Sequence, residues 1–196
     1  AAIRGMLRQR LRRCAGHDAS PDPPRAGHRG GTFVRHRLAA RSFLRAAGDV
    51  AASKGLPLTP TASYEGRIVA NNLVKGNTTK SNYSGLPSVV FTIPPLVSVG
   101  MHEKEAKDLG LRFRTRYENT ANWASSKRVG ESCSGFKVLI EEGTDRILGA
   151  HIIGPHAEEV INIFSIAIRL ELTAKDLNDP ILYSYPTSSS DVIYML

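Results

Sequence analysis

Residues 134–172, SGFKVLIEEGTDRILGAHIIGPHAEEVINIFSIAIRLEL, carry strand, turn, strand and helix signals in unbroken succession. Phe136, Val138 and Ile140 alternate with Lys137, Leu139 and Glu141, Gly143-Thr144-Asp145 interrupts, and Ile147 to Ile153 resumes the run. That pattern predicts a half-buried β-hairpin. After Gly154-Pro155, a helix is expected from Ala157 to Leu172, with Glu158 and Glu159 in its first turn, where carboxylates suit the positive helix end. Its apolar residues, Val160, Ile161, Ile163, Phe164, Ile166, Ala167, Ile168 and Leu170, occupy more than the one stripe a single core covers. A second apolar partner is expected, most simply a sister subunit packed against Ile163 or Phe164.

Upstream, Ser88 to Ile93 is a β-branched and aromatic run ended by Pro94-Pro95, and Leu96 to Val99 forms a short strand closed by Gly100. A short helix is expected over Glu103 to Leu109. Leu111, Phe113, Thr115 and Tyr117 then alternate with Arg112, Arg114, Arg116 and Glu118, a strand with one packed and one charged face. The three arginines suit either an anion or plain solvent. The resulting order of elements predicts an α+β fold, an antiparallel sheet covered on one side by helices.

Thr59-Pro60 opens an apolar-periodic stretch through Ile68, Val69 and Leu73, with Thr59 expected as N-cap and Pro60 at the first helical position. Free amides at such a start suit an anionic or electron-rich ligand, though an ordinary capped helix gives the same pattern. Near the C-terminus, Thr173 and Asp176 read as a capping box, and Ser188 to Asp191 as the cap of a terminal helix carrying Val192, Ile193 and Leu196. No His, Lys or carboxylate adjoins the serines to make one a nucleophile.

The 196-residue chain is 41% hydrophobic and 22% charged, ordinary for a globular protein, and no run approaches the length of a membrane span. Cys14 and Cys133 stand far apart, which argues for no disulfide framework, zinc site or C-x-x-C pair and suits a reduced, cytoplasmic setting. The net charge of +8 is concentrated in residues 1–45, which hold eleven arginines, no lysine and only Asp18 and Asp22 as acids. The remainder, 15 basic against 16 acidic residues, is close to neutral. This Arg-rich, Pro- and Gly-broken head reads as an organelle-targeting segment, as a basic arm for nucleic acid, or as an irregular extension. Its scarcity of aromatic residues argues against base stacking.

Several stretches in order, AAGDVA, LPLTPTASYEGR, PSVVFTIPPLVSVGM, LGAHIIGPHAEEVIN and YPTSSSD, resemble the C-terminal part of the pyridine nucleotide-disulfide oxidoreductases, the family of glutathione reductase, dihydrolipoamide dehydrogenase and mercuric reductase. The resemblance covers about residues 46–196. It implies that Gly48-Asp49 closes an FAD site, with Asp49 on the ribityl hydroxyls, and that the helix opening at Leu58-Thr59-Pro60 points at the flavin pyrimidine ring. It further implies an FAD-domain remnant over 46–86, a dimerisation domain over 87–196 that forms a homodimer, and a full-length form passing electrons from NAD(P)H through FAD to a small-molecule acceptor. By this reading the chain is the C-terminal part of such an enzyme and inactive alone. A stand-alone dimerisation module without catalysis and an Arg-rich nucleic-acid binder are the alternatives.

The sequence also departs from the family. It has no Gly-x-Gly-x-x-Gly after an opening strand and no cysteine pair four residues apart. Where the family's disulfide reductases carry a catalytic His before Pro-Thr and a Glu four residues after the Pro, this chain has Tyr185 and Ser190. An ordinary tyrosine titrates near pH 10, roughly three units above histidine, and is a poor acid-base partner for a thiolate. Tyr185 is therefore expected to hold the catalytic position without the disulfide chemistry, orienting a quinone or dye-like acceptor through its hydroxyl, or to serve as a packing tyrosine at an interface.

Overall fold

The computed structural model describes residues 45–196. The reading of the Arg-rich head therefore lies outside the described residues, Arg45 excepted.

The deciding stretch forms the expected hairpin and helix, but the hairpin is buried on both faces rather than one. Strands β4 (Gly135–Glu141) and β5 (Ile147–Ile153) form the antiparallel hairpin, and α4 (Ala157–Arg169) follows. The turn between the strands places Asp145 at φ 60, where its carboxylate meets the Arg114 guanidinium at 2.6 Å. Around the hairpin are β1 (Ser88–Val90), β2 (Leu96–Gly100) and β3 (Phe113–Asn119), giving one sheet in the order β1-β2-β5-β4-β3. Every neighbouring pair is antiparallel. The expected α+β architecture is the one observed.

Helix α4 lies on the face presented by Val97, Val99, Phe136, Val138, Ala150 and Ile152. It buries Ala157, Val160, Ile161, Phe164 and Ala167, an i, i+3, i+4, i+7 stripe. Because successive strand residues alternate between faces, Lys137, Leu139 and His151 point the other way. That opposite face is covered in part by α2 (Glu103–Asp108), through its buried Ala106 and the Lys137–Glu103 contact at 2.8 Å. Leu139 is consequently fully buried. The other helices are α1 (Thr59–Lys75), α3 (Ala124–Arg128), α5 (Ala174–Leu177) and α6 (Val192–Met195).

Several local expectations are corrected. α4 ends at Arg169 rather than Leu172, with Leu170 as its C-cap and Glu171 at φ 57, a left-handed stop. β1 ends at Val90, so Phe91, Thr92 and Ile93 leave the sheet before Pro94-Pro95, and Phe91 and Ile93 are exposed. β3 has no packed face beyond Phe113: it is an edge strand, and Thr115 and Tyr117 face solvent alongside the arginines. Phe164 faces its own core, which removes it from any subunit interface. Asp191 stands at the start of α6 without a side-chain cap. The capping box is observed: the Thr173 side chain accepts from the Asp176 amide, and the Asp176 carboxylate accepts from the Thr173 amide at 2.8 Å. α3 was not signalled by the sequence.

Candidate functional site

The five residues singled out for cofactor binding lie on two consecutive pieces of backbone. Gly48 opens a 3-10 turn, Gly48–Val50, at φ 72, and a side chain there would bring its Cβ within 3.1 Å of the Ala62 Cβ. The turn presents the Asp49 carboxylate to solvent. The helix start differs by one residue from expectation: Leu58 is the extended N-cap, Thr59 the first helical residue and Pro60 the second, and no side chain caps the end. The first intrahelical bond runs from the Ala62 amide to the Leu58 carbonyl at 3.0 Å. The Thr59 and Thr61 amides are thus the orphan donors of the first turn, which also holds no acidic residue. Thr59 and Pro60 are exposed, leaving a positive helix end open to an electron-rich group.

One functional candidate escaped the sequence reading. Glu65, in the middle of α1, is only 6% exposed and accepts hydrogen bonds from the Gly48 amide at 2.7 Å and the Tyr83 hydroxyl at 2.6 Å. Hydrogen bonds from the Ser53 hydroxyl, then Tyr83 and the Gly48 amide, hold its carboxyl below the usual carboxylate range. A lone glutamate on a helix with lysine and arginine neighbours reads as a solvated face. The available signal was its i, i+4 spacing from Thr61, which puts both on one side of α1.

The segment after α1 is strapped to α4. The Ser165 hydroxyl donates to the Gly85 carbonyl at 2.5 Å, and the Arg169 guanidinium donates to the carbonyls of Asn82 at 2.7 Å and Ser84 at 3.3 Å. Between this segment, the first turn of α1 and α4 runs an open cleft of about 460 Å³ lined by Pro60, Tyr64, Ile166 and Leu170 among others. Ile166 and Leu170 are 56% and 63% exposed, so the second apolar stripe read from the sequence is real and faces outward.

Tyr185 lines a different cleft, about 850 Å³, together with Trp123, Arg116, Arg128 and Tyr194. It is 84% exposed. Ser190, in the position of the family's glutamate, is buried and turned inward: its hydroxyl donates to the Thr187 carbonyl at 2.7 Å and accepts from the Thr187 amide at 3.1 Å. It stabilises the turn after Tyr185-Pro186. Arg128 donates to the Pro186 carbonyl at 3.3 Å and Arg116 to the Tyr194 carbonyl at 3.4 Å, so both guanidinium groups brace the C-terminal segment. The two clefts share no lining residue within this protomer.

Among the described residues no group of three His, Cys, Asp or Glu side chains converges to hold a metal ion, and no helix is long and apolar enough to cross a membrane.

The profile of the pyridine nucleotide-disulphide oxidoreductase dimerisation domain matches residues 86–195. An uncharacterized 19.7 kDa protein in a mercuric resistance operon of Staphylococcus aureus is 48% identical over 151 residues, 77% of this chain and 83% of that protein. A glutathione reductase of Burkholderia cepacia is 32% identical over 76% of this chain and 32% of its own length, and a mercuric reductase of Bacillus cereus is 30% identical over 78% and 24% respectively. The chain thus spans about a quarter to a third of these reductases, but most of the Staphylococcus protein. Among solved structures, the HOCl-induced flavoprotein disulfide reductase RclA from Escherichia coli superposes with a TM-score of 0.67 at 26% identity, over 76% of this chain and 34% of that one.

Proposed function

Because the chain belongs to the pyridine nucleotide-disulphide oxidoreductase family through that family's dimerisation domain, we propose that it works as a homodimeric module that supplies one edge of an FAD site. Residues 87–196 are the dimerisation domain in this reading, and residues 46–86 are the segment that meets the cofactor. The observation that carries the proposal is the outward stripe of α4: a helix whose inner face is fully satisfied still exposes Ile166 and Leu170. Burying one such side chain is worth roughly 1.5–3 kcal/mol, so a second copy pairing stripe to stripe has a clear driving force.

The residues at the other end fit the flavin. Asp49 offers a solvent-facing carboxylate that accepts from polyol hydroxyls, and the uncapped start of α1 at Leu58, Thr59 and Pro60 offers amide donors to an electron-rich ring edge. FAD, when bound, would relay electrons from NAD(P)H to an acceptor. Tyr185 would close the acceptor pocket and orient its occupant through the phenol, and Ser190, committed to the Thr187 turn, supplies no acid-base partner. These residue types favour a quinone or dye-like small molecule over a disulfide. By itself the 196-residue chain should bind FAD weakly and oxidise no NAD(P)H, since its sequence carries no phosphate-binding Gly-x-Gly-x-x-Gly. The widely spaced cysteines support a reduced, cytoplasmic setting for it.

One observation favours a second reading, a dimerisation module that acts without chemistry of its own: the Staphylococcus relative is itself only 19.7 kDa. That relative's operon, and the mercuric reductases among the similar proteins, also raise the mercuric ion as an acceptor. Cys133 is the single cysteine among the described residues, so they offer no thiolate pair for a soft cation. Flavin titration of the purified chain separates the readings: a saturable change in FAD fluorescence supports the cofactor role, and a dimer that leaves FAD unperturbed supports the module.

A further inference from the structure

We infer that Glu65 is the positioning residue of the Gly48–Asp49 turn, one buried carboxylate that holds the turn against α1 and, through Tyr83, links it to the helix bearing the dimerisation stripe. The inference rests on the reading of that turn as part of a flavin site. The geometry is a relay with a bond at each joint. Glu65 Oε2 takes the Gly48 amide at 2.7 Å, immediately before Asp49, and Glu65 Oε1 takes the Tyr83 hydroxyl at 2.6 Å. Tyr83 sits in the segment that Arg169 and Ser165 of α4 grip by the carbonyls of Asn82, Ser84 and Gly85. Tyr64, one residue before Glu65, fixes the same segment, its hydroxyl accepting from the Asn82 amide at 2.9 Å.

The packing around the carboxylate leaves it no slack. A Cβ on Gly55 would come within 2.5 Å of Thr61 Cγ2, 2.8 Å of Tyr83 Cε1 and 3.0 Å of Glu65 Oε1, so the loop between the turn and α1 is pressed directly onto the cluster. A glutamate that merely favoured the helix would be solvated and replaceable. Glu65 is 94% buried, and truncating it would strand the Gly48 and Tyr83 donors without their acceptor. Its loss should therefore act locally, on the turn, and leave the sheet intact.

The test is amide hydrogen exchange on the complete 196-residue chain, unmodified and as Glu65→Ala and Glu65→Gln, with FAD titrations on the same samples. Glu65→Ala should speed exchange at the Gly48 amide at least tenfold and weaken FAD binding at least tenfold, with β4 and β5 amides unchanged. Glu65→Gln, which keeps one acceptor oxygen, should fall between. Unchanged exchange at Gly48 in Glu65→Ala, with the β4 and β5 amides still protected, would overturn the inference. If Glu65→Ala does not fold, Glu65→Leu, which keeps the bulk but offers no acceptor, decides on the same readout, unchanged Gly48 exchange again being the contrary result. Accelerated exchange in a chain whose unmodified form leaves FAD unperturbed would uphold the clamp and remove the flavin reading, so the two failures remain distinct.

Discussion

The imidazole rings of His102 and His151 stack 4.4 Å apart and 7° from parallel. His151 is buried on the α2 side of the sheet, its Nδ1 2.7 Å from the Ser98 hydroxyl and its Nε2 3.2 Å from the Met101 carbonyl. A carbonyl can only accept, so Nε2 carries the proton and Nδ1 accepts from Ser98. Burial first, then the charge of His102, pushes its pKa from 6.5 down to about 4.

Stability should consequently fall as pH is lowered through that window. Between pH 6.5 and about 4 the unfolded chain takes up a proton that folded His151 refuses, a linkage worth up to about 3 kcal/mol. Glu103, held at about 2 chiefly by Lys137, acts in the same direction at lower pH: its contribution is present above 4.5 and is lost as pH falls towards 2. Its partial exposure leaves that second effect small. Urea unfolding near pH 7.5 and near pH 5, followed through the single tryptophan, should show the loss, and His151→Gln should flatten it. Equal stability at both pH values would contradict this assignment.

The two aromatic and aliphatic residues of α4 should separate cleanly by experiment. Phe164→Ala empties a fully buried site and should cost about 3–5 kcal/mol without selectively affecting association. Ile166→Asp should leave the monomer's melting transition nearly unchanged and shift sedimentation towards monomer. A dimer that survives Ile166→Asp and Leu170→Asp together would place the interface elsewhere.

Gly149 should admit no side chain. A Cβ at this position would fall on the Met101 carbonyl oxygen and 2.9 Å from the Met101 amide, both backbone atoms. Gly149→Ala should destabilise the domain by about 1–3 kcal/mol or more, measured by chemical unfolding. A neutral substitution would mean that the β2–α2 connection yields more readily than this packing implies.

In the full-length FAD-dependent form that the proposed function implies, Tyr185 is to be compared with Tyr185→Phe and Tyr185→His, with quinone and disulfide acceptors side by side. Removing the hydroxyl should raise KM for the quinone several-fold and leave disulfide reduction low throughout. Strong disulfide reduction by the unmodified protein, abolished in Tyr185→Phe, would assign the tyrosine the acid-base role denied to it above.

Most of the sheet was legible because its signals are periodic and local. Phe136, Val138 and Ile140 mark one strand face directly, and the surplus of apolar residues on α4 announced the outward pair Ile166 and Leu170. What the pattern could not show was which face of α4 the core would take, and so Phe164 stood as a candidate for the partner side. β3 misled for a related reason: alternation specifies two faces but not how far each is buried, and at the sheet edge Tyr117 remains 52% exposed. α3 is five residues long, too short for a helical period to register. Glu65 was illegible because its partners, Gly48 and Tyr83, lie 17 and 18 residues away in sequence and meet it only once the segments on both sides of α1 fold back.

The most direct test of the central claim is a titration of FAD with this chain, read by flavin fluorescence and repeated with Asp49→Ala. The chain should sediment as a dimer and give a weak but saturable change, whose affinity Asp49→Ala reduces at least tenfold. A dimeric chain that leaves the flavin spectrum and fluorescence untouched at millimolar concentration would contradict it.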